Sequence, residues 1–215
     1  MSQDLSHLLE AGLRALGFAL EADRRAALLS FLELLNKWNR AYNLTAVRDP
    51  REMVTIHLLD SLAILPYLHG QRLIDVGTGA GLPGMALAMA KPEGAWTLLD
   101  SNAKKVRFLT QVVIELKLGN VEVVRARAEE YRPLRLFDTV VARAVCSLKE
   151  LLSIAGHLIA PEGSLLAMKG TYPEAELGAL GSSCPVPQVH RLDVPGLEAE
   201  RHLVVFDFAR ETPRV

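Results

Sequence analysis

Between Leu73 and Gly84 the chain reads LIDVGTGAGLPG. An apolar run ends in the carboxylate of Asp75, and glycines follow at 77, 79, 81 and 84. Glycine serves where the backbone takes positive φ or where a ligand must approach without a Cβ in its way. Pro83 suits the first turn of a helix, where its missing N–H is not needed, and the apolar stretch 85–89 continues that helix. A strand, a glycine turn and a helix N-terminus in succession would present backbone N–H groups to a polar or anionic ligand. The chemistry expected is the binding of a nucleotide-like cofactor at the first strand of a Rossmann-type sheet.

Residues 79–84 satisfy G-x-G-x-x-G, the dinucleotide fingerprint. Read from Asp75, the same segment satisfies D-x-G-x-G-x-G, the cofactor loop of S-adenosylmethionine (AdoMet) methyltransferases. The acid two residues before the first glycine makes the longer pattern the more specific. The loop is therefore read as an AdoMet site, with Gly77, Gly79 and Gly81 against the cofactor. A dinucleotide and a purely structural turn are the alternatives.

Ligands of an open parallel sheet bind beyond the carboxyl ends of its strands, so the residues after each strand carry information. The second strand ends in Asp100, an acid able to accept hydrogen bonds from ribose hydroxyls or, alternatively, to cap the helix from Lys104. After the third strand, residues 125–130 (RARAEE) would lie over the adenine, with backbone groups of Ala128 and Glu129 at its edge; a solvated charged loop is the alternative. Arg127, Arg143 and Lys169 follow three different parallel strands and are expected to converge on one rim, with Lys104 and Lys105 on the same side. Each cation alone would be ordinary surface charge, but together beside a cofactor they suggest a phosphate-bearing substrate. No N-P-P-Y or D-P-P-Y run follows the fourth strand, which disfavours amino-directed adenine or cytosine chemistry. Cys146 lies nearby without the Pro-Cys dipeptide of a covalent pyrimidine mechanism, and a lone cysteine usually packs.

No general base stands out. A nucleophile with a free lone pair needs none, and the N7 of guanine is such an atom. In-line attack on a methyl group would then require mainly positioning and electrostatic preorganisation.

These residues need elements to hold them. Up to about residue 68 the pattern is helical. Leu5, Leu8, Leu9, Leu13 and Leu16 have helical spacing, ended by Gly17. Leu28, Phe31, Leu32, Leu35 and Trp38 make a second apolar face, with Asp23 as its cap, and a third segment covers 53–67. From Arg72 strands and helices alternate: strands at 73–76, 96–99, 121–124, 137–142 and 164–168, helices at 83–90, 104–118 and 148–159. Such alternation implies βαβ units and a mostly parallel sheet. Segments 186–192 and 202–208, around a turn at 193–196, read as a terminal antiparallel hairpin. The fold expected is α/β: a Rossmann-like, mostly parallel seven-stranded sheet with a C-terminal antiparallel hairpin. A helical cap (1–68) precedes this core (69–215), and the two form one compact unit.

The 215 residues are half hydrophobic, with a net charge of −1. The length suits one sizeable core, and the charge by itself gives no support to a nucleic-acid partner. Cys146 and Cys184 show neither C-x-x-C nor metal-ligand spacing, so a reducing compartment and no metal are expected. Charged residues near the N-terminus argue against a secretory signal, and no apolar run approaches the roughly 20 residues of a bilayer span. A cytoplasmic protein without membrane contact is the expectation, and nothing demands a dimer.

Over nearly its whole length the chain resembles the 16S ribosomal RNA guanine-N7 methyltransferase G family (RsmG, also called the glucose-inhibited division protein B family). In the helical segment the resemblance rests on 37–45 (KWNRAYNLT) and 57–61 (HLLDS). In the core it rests on 75–84, 98–101, 105–109, Arg143-Ala144, Lys169-Gly170 and 200–203 (ERHL). The glycine loop alone marks only the superfamily; the helical motifs together with it mark this family. The resemblance implies methylation of N7 of a guanine in the 530 loop of 16S ribosomal RNA, within a small ribosomal subunit or its assembly intermediate. It implies cofactor contacts at Gly77, Leu82, Ala128, Glu129 and Arg143, and RNA engagement or catalysis at Arg127, Arg143 and Lys169. Lys105 stands where some members have arginine, which keeps the charge but loses the bidentate fork. Trp38, Tyr42, Asn43, Thr45, His57 and Asp60 are open between packing or local hydrogen bonds and contact with the substrate. A methyltransferase for another acceptor, an AdoMet-binding assembly or regulatory protein, and an NAD-dependent oxidoreductase are the competing readings.

Overall fold

A computed structural model describes residues 2–181 and 184–208. Seven strands form one sheet in the order β3-β2-β1-β4-β5-β7-β6. The strands are β1 Arg72–Val76, β2 Ala95–Asp100, β3 Val121–Arg125, β4 Phe137–Arg143, β5 Ile159–Lys169, β6 Gln188–Arg191 and β7 His202–Asp207. The first five pair in parallel, while β7 runs antiparallel to both β5 and β6. The expected hairpin thus closes the expected sheet. Central strands are apolar on both faces: Leu73, Ile74 and Val76 of β1 and Val140, Val141 and Ala142 of β4 are all buried, as a parallel sheet covered on both sides requires.

Three helices connect parallel strands along the chain: α5 Gly84–Ala90 (β1 to β2), α6 Ala103–Glu115 (β2 to β3) and α7 Leu148–Ala155 (β4 to β5). A short helix, α8 Glu174–Gly178, has no counterpart in the sequence reading, since five residues give no periodicity to read. One-turn 3₁₀ segments follow α7 at Gly156–Leu158 and β3 at Ala128–Glu130.

The N-terminal helices are α1 Ser2–Ala15 and α2 Ala22–Tyr42. Leu9 and Leu13 of α1 and Leu28, Phe31, Leu32 and Leu35 of α2 are buried in an apolar cluster that also takes in Leu87, Phe108 and Leu109 of the core. Asp23 does not cap α2: Glu21 precedes the helix without a side-chain cap, and Asp23 lies in the first turn. Trp38 packs in tilted contact against Tyr42 (5.0 Å between ring centroids) and Phe108 (5.6 Å), so these aromatics fasten α2 to α6. The third helical segment begins earlier than its apolar pattern, because the Asp49 side chain caps α3 Pro50–Met53 by accepting from the N–H of Arg51 (2.7 Å). Beyond it the chain widens into a π-helical stretch, Val54–Leu59, before returning to α4 Asp60–Leu62. Single π-turns inside helices gather at functional sites, and this one carries His57 beside Asp60.

Candidate active site

The glycine loop leaves β1 with positive φ at Gly77 (+68°), Gly79 (+63°) and Gly81 (+91°). A Cβ on Gly77 would lie 2.8 Å from Cγ2 of Val145, and one on Gly81 2.8 Å from Leu109. Both conformation and space therefore demand glycine. The loop is stitched to β2: the N–H groups of Gly77 and Thr78 donate to the Leu99 carbonyl (2.8 and 3.1 Å), and that of Gly79 donates to Oδ2 of Asp100 (2.9 Å).

Asp75 braces this loop from beneath. Its carboxylate is fully buried, Oδ2 accepts from the Gly84 N–H at 2.7 Å, and Oδ1 has no partner among the described residues. Burial pushes its pKa up to about 6, against the lowering effect of Thr78 and the Gly84 N–H. This corrects one expectation. Pro83 is the residue before α5 rather than its first turn, and the leading N–H groups are consumed internally, Gly84 by Asp75 and Met85 by the Gly81 carbonyl (2.8 Å). They are not offered to a ligand.

A cleft of about 310 Å³ opens beside the loop, lined by Gly77, Asp100, Ser101, Lys105, Arg127, Ala128, Glu129, Ala144 and Val145 among others. Asp100 is not the helix cap: Asn102 fills that role, accepting from the Lys104 N–H at 2.9 Å. Asp100 instead holds the Gly79 N–H with Oδ2 and the Asn102 N–H with Oδ1 (2.8 Å), and it remains part of the cleft wall. Lys105 Nζ is 3.6 Å from Asp100, and Arg127 is 3.8 Å from Glu129, so each cation of this cleft stands beside an acid. Of the residues expected around a cofactor, Gly77, Asp100, Ala128 and Glu129 line the cleft together. Gly79, Gly81 and Leu82 are not among its lining residues, and Leu82 is buried in the apolar core.

Arg143 belongs elsewhere. With Ile56, His57, Asp60, Met168, Lys169 and Arg201 it lines a second cleft of about 370 Å³. Ala144 lines both clefts and holds φ at +54°, a conformation that costs a non-glycine residue about 1–3 kcal/mol and gathers at functional sites. The three cations expected on one rim are thus divided: Arg143 and Lys169 share the second cleft, while exposed Arg127 borders the first. None of the three cations of the second cleft is free. Lys169 Nζ donates to both carboxylate oxygens of Glu176 (3.0 and 2.8 Å) and to the Cys146 carbonyl (3.0 Å). Glu176 in turn accepts from the Leu148 N–H at the start of α7 (2.7 Å). Arg143 Nη1 donates to Asp60 Oδ2 at 2.9 Å, and Arg201 Nε donates to Asp60 Oδ1 at 2.9 Å.

His57 is buried beside them. Thr45 Oγ1 accepts from the Val47 N–H (3.2 Å) and shares a hydrogen bond of 2.9 Å with His57 Nε2. Burial, aided by the charge of Arg143, lowers the His57 pKa to about 4; the backbone at Ile56 opposes this slightly. The imidazole is neutral at pH 7. Thr45 itself is held by Asn39 in two hydrogen bonds of 2.9 Å, and Asn43 ends α2 in a left-handed conformation.

Comparison with known proteins fits this architecture. Among solved structures, an S-adenosylmethionine-dependent methyltransferase from Aquifex aeolicus superposes with a TM-score of 0.54 at 20% identity, covering 83% of this chain and 98% of that one. The methyltransferase SibL superposes with a TM-score of 0.56 at 17% identity, covering 86% and 72%. At such identities the likeness concerns the fold. Closer relatives are named ribosomal RNA small subunit methyltransferase G. The protein of Methylococcus capsulatus is 55% identical across 91% of this chain and 95% of its own, and that of Pseudomonas aeruginosa is 53% identical across 92% of each. The family described as rRNA small subunit methyltransferase G matches residues 24–204, and the chain belongs to that family.

Proposed function

We propose that this enzyme methylates N7 of a guanine in the 530 loop of 16S ribosomal RNA, using AdoMet. Family membership supports the AdoMet-dependent methylation of small-subunit RNA; the target atom and loop follow from the resemblance of the helical and core motifs.

The residues of the first cleft fit the cofactor. Gly77 leaves room that a Cβ would fill. Asp100, with each oxygen accepting one main-chain N–H, retains lone pairs for ribose hydroxyls. Ala128 and Glu129 offer backbone groups to an adenine edge. When bound, AdoMet supplies an electrophilic methyl group.

The observation that carries the choice of acceptor atom is the lack, among the described residues, of a free base in the second cleft. Both oxygens of Asp60 are engaged by guanidinium groups. His57, with a pKa of about 4, is a poor base at neutral pH. Lys169 is paired with Glu176, to which its Nζ donates. An amino or hydroxyl nucleophile that must shed a proton finds no acceptor here, whereas guanine N7 presents an in-plane lone pair and sheds none. The task left to the chain is to orient the base and exclude water. Residues 1–68 act in this reading as the cap that completes the second cleft, through His57 and Asp60.

The test is methyl transfer from radiolabelled AdoMet to small ribosomal subunits lacking native modification, followed by chemical cleavage at 7-methylguanine. One cut in the 530 loop is expected. Labelling elsewhere, or none despite AdoMet binding, would overturn the proposal.

A further inference from the structure

Asp60 joins two arginines that sequence position gives no reason to connect, 83 and 141 residues away. The Asp60 side chain is buried (3% exposed), while the side chains of Arg143 and Arg201 remain about a fifth exposed (21% and 22%). All three residues line the second cleft. Asp60 has spent both oxygens on them. Arg143 Nη1 also donates to the Ile56 carbonyl (3.4 Å), and Arg201 Nη1 donates to the Glu200 carbonyl (2.8 Å). Among the described residues nothing accepts from the Nη2 group of either arginine.

Two guanidinium groups beside one another repel unless a negative charge lies between them. One buried carboxylate offsets one of the two positive charges and leaves a surplus of one. A phosphodiester carries a single negative charge, and its paired oxygens match the fork geometry of guanidinium groups. Lys169 is not a member of this set, because Glu176 and the Cys146 carbonyl already hold it. Nor does the anion belong to the cofactor's own cleft: Asp100 and Glu129 line that one, and neither arginine does. We infer that Arg143, Asp60 and Arg201 form a binding site for a phosphodiester of the acceptor RNA, with Asp60 as the positioning residue that sets the two guanidinium groups side by side. This rests on the reading of RNA as the acceptor. The site lies where the helical segment, β4 and the start of β7 meet, so substrate binding depends on the first 68 residues as well as the sheet.

Neutralising a phosphate releases counterions, and the logarithm of affinity falls with the logarithm of salt by about 0.7–0.9 per phosphate contact. The experiment measures binding of the full chain to unmodified small ribosomal subunits over a range of monovalent salt, for wild type, Arg201→Gln and Arg201→Lys, with AdoMet affinity measured by calorimetry alongside. Arg201→Gln is expected to weaken subunit binding about tenfold at low salt, to flatten the salt slope by nearly one contact, and to leave AdoMet affinity unchanged. Arg201→Lys is expected to keep the slope while losing part of the affinity, because charge remains and the fork does not. An unchanged slope in Arg201→Gln, equal flattening in both variants, or weakened AdoMet binding with the slope intact would each overturn the site. Failure of the wild-type protein to bind or label the subunits would instead overturn the RNA reading on which it rests.

Discussion

Two buried groups in the site titrate in opposite senses, and their opposition can be measured. His57 has its pKa lowered from 6.5 to about 4, and Asp75 has its pKa raised from 3.8 to about 6. As pH falls from 7, the unfolded chain protonates His57 before the folded chain does. The stability His57 contributes is therefore complete above about 6.5 and is lost as pH falls to about 4. Asp75 behaves inversely: the folded chain takes its proton first, so its contribution is complete below about 3.8 and is lost as pH rises through about 6. Each displacement spans more than two pKa units, equivalent to about 3 kcal/mol. Between pH 4 and 6 the two effects nearly cancel in the wild-type protein.

Single substitutions expose them. Asp75→Asn keeps an acceptor for the Gly84 N–H and removes the buried charge. Its stability relative to wild type is expected to be highest at pH 7 and to fall by about 3 kcal/mol by pH 4. His57→Gln keeps a hydrogen-bonding group toward Thr45 and removes the titration. Its relative stability is expected to rise by a similar amount over the same interval. Urea unfolding of the three proteins at several pH values between 4 and 7 gives both differences, and subtracting wild type cancels every other titrating group. Difference curves that stay flat with pH would refute the argument. So would a sign reversal in either variant, since the sign follows only from which state is protonated first.

Gly77→Asp places a Cβ against Val145 at a backbone φ of +68° and adds a carboxylate to the cleft; calorimetry is expected to show AdoMet affinity reduced at least 100-fold with the fold retained by circular dichroism. Glu176→Ala removes the partner of Lys169 and the acceptor for the Leu148 N–H. It is expected to destabilise the protein by about 1 kcal/mol in thermal unfolding and to lower methyl transfer by misplacing Lys169.

The sheet was legible because its signals are local. Alternating apolar runs and helical spacing require no knowledge of partners, and the strand cores, the hairpin and the glycine turn all lie where their patterns place them. Helix limits were less so, because capping residues such as Asp49 and Asn102 extend or start helices outside the apolar stripe. The site was legible only in part. Asp100, Gly77, Ala128 and Glu129 follow strand ends that topology brings together, so reading strand by strand found them in one cleft. The division of the cations was not visible. It depends on Glu176 from a five-residue helix and on Asp60 behind a π-turn, contacts made across long separations. The role of Asp75 was hidden too: the motif marks the position without saying what it does, and the carboxylate ties β1 to the first turn of α5.

Net charge misleads for the same reason that pairing does. At −1 overall the chain has no long-range attraction for RNA, yet the charges are apportioned by cleft. Lining the first are Asp100, Glu129, Lys105 and Arg127, which balance. Lining the second are Arg143, Lys169 and Arg201 against Asp60 alone. A cofactor with a sulfonium and an amino acid end needs no strong field of either sign, whereas a nucleotide strand needs a positive one. Screening shortens exposed electrostatics to about 8–10 Å at physiological ionic strength, so only the local balance is felt by a bound group. Holding Arg143, Arg201 and Lys169 on acids in advance fixes their positions before substrate arrives. Less side-chain entropy remains to be lost on binding. Ala144, which lines both clefts, is the position where the neutral and positive surroundings meet.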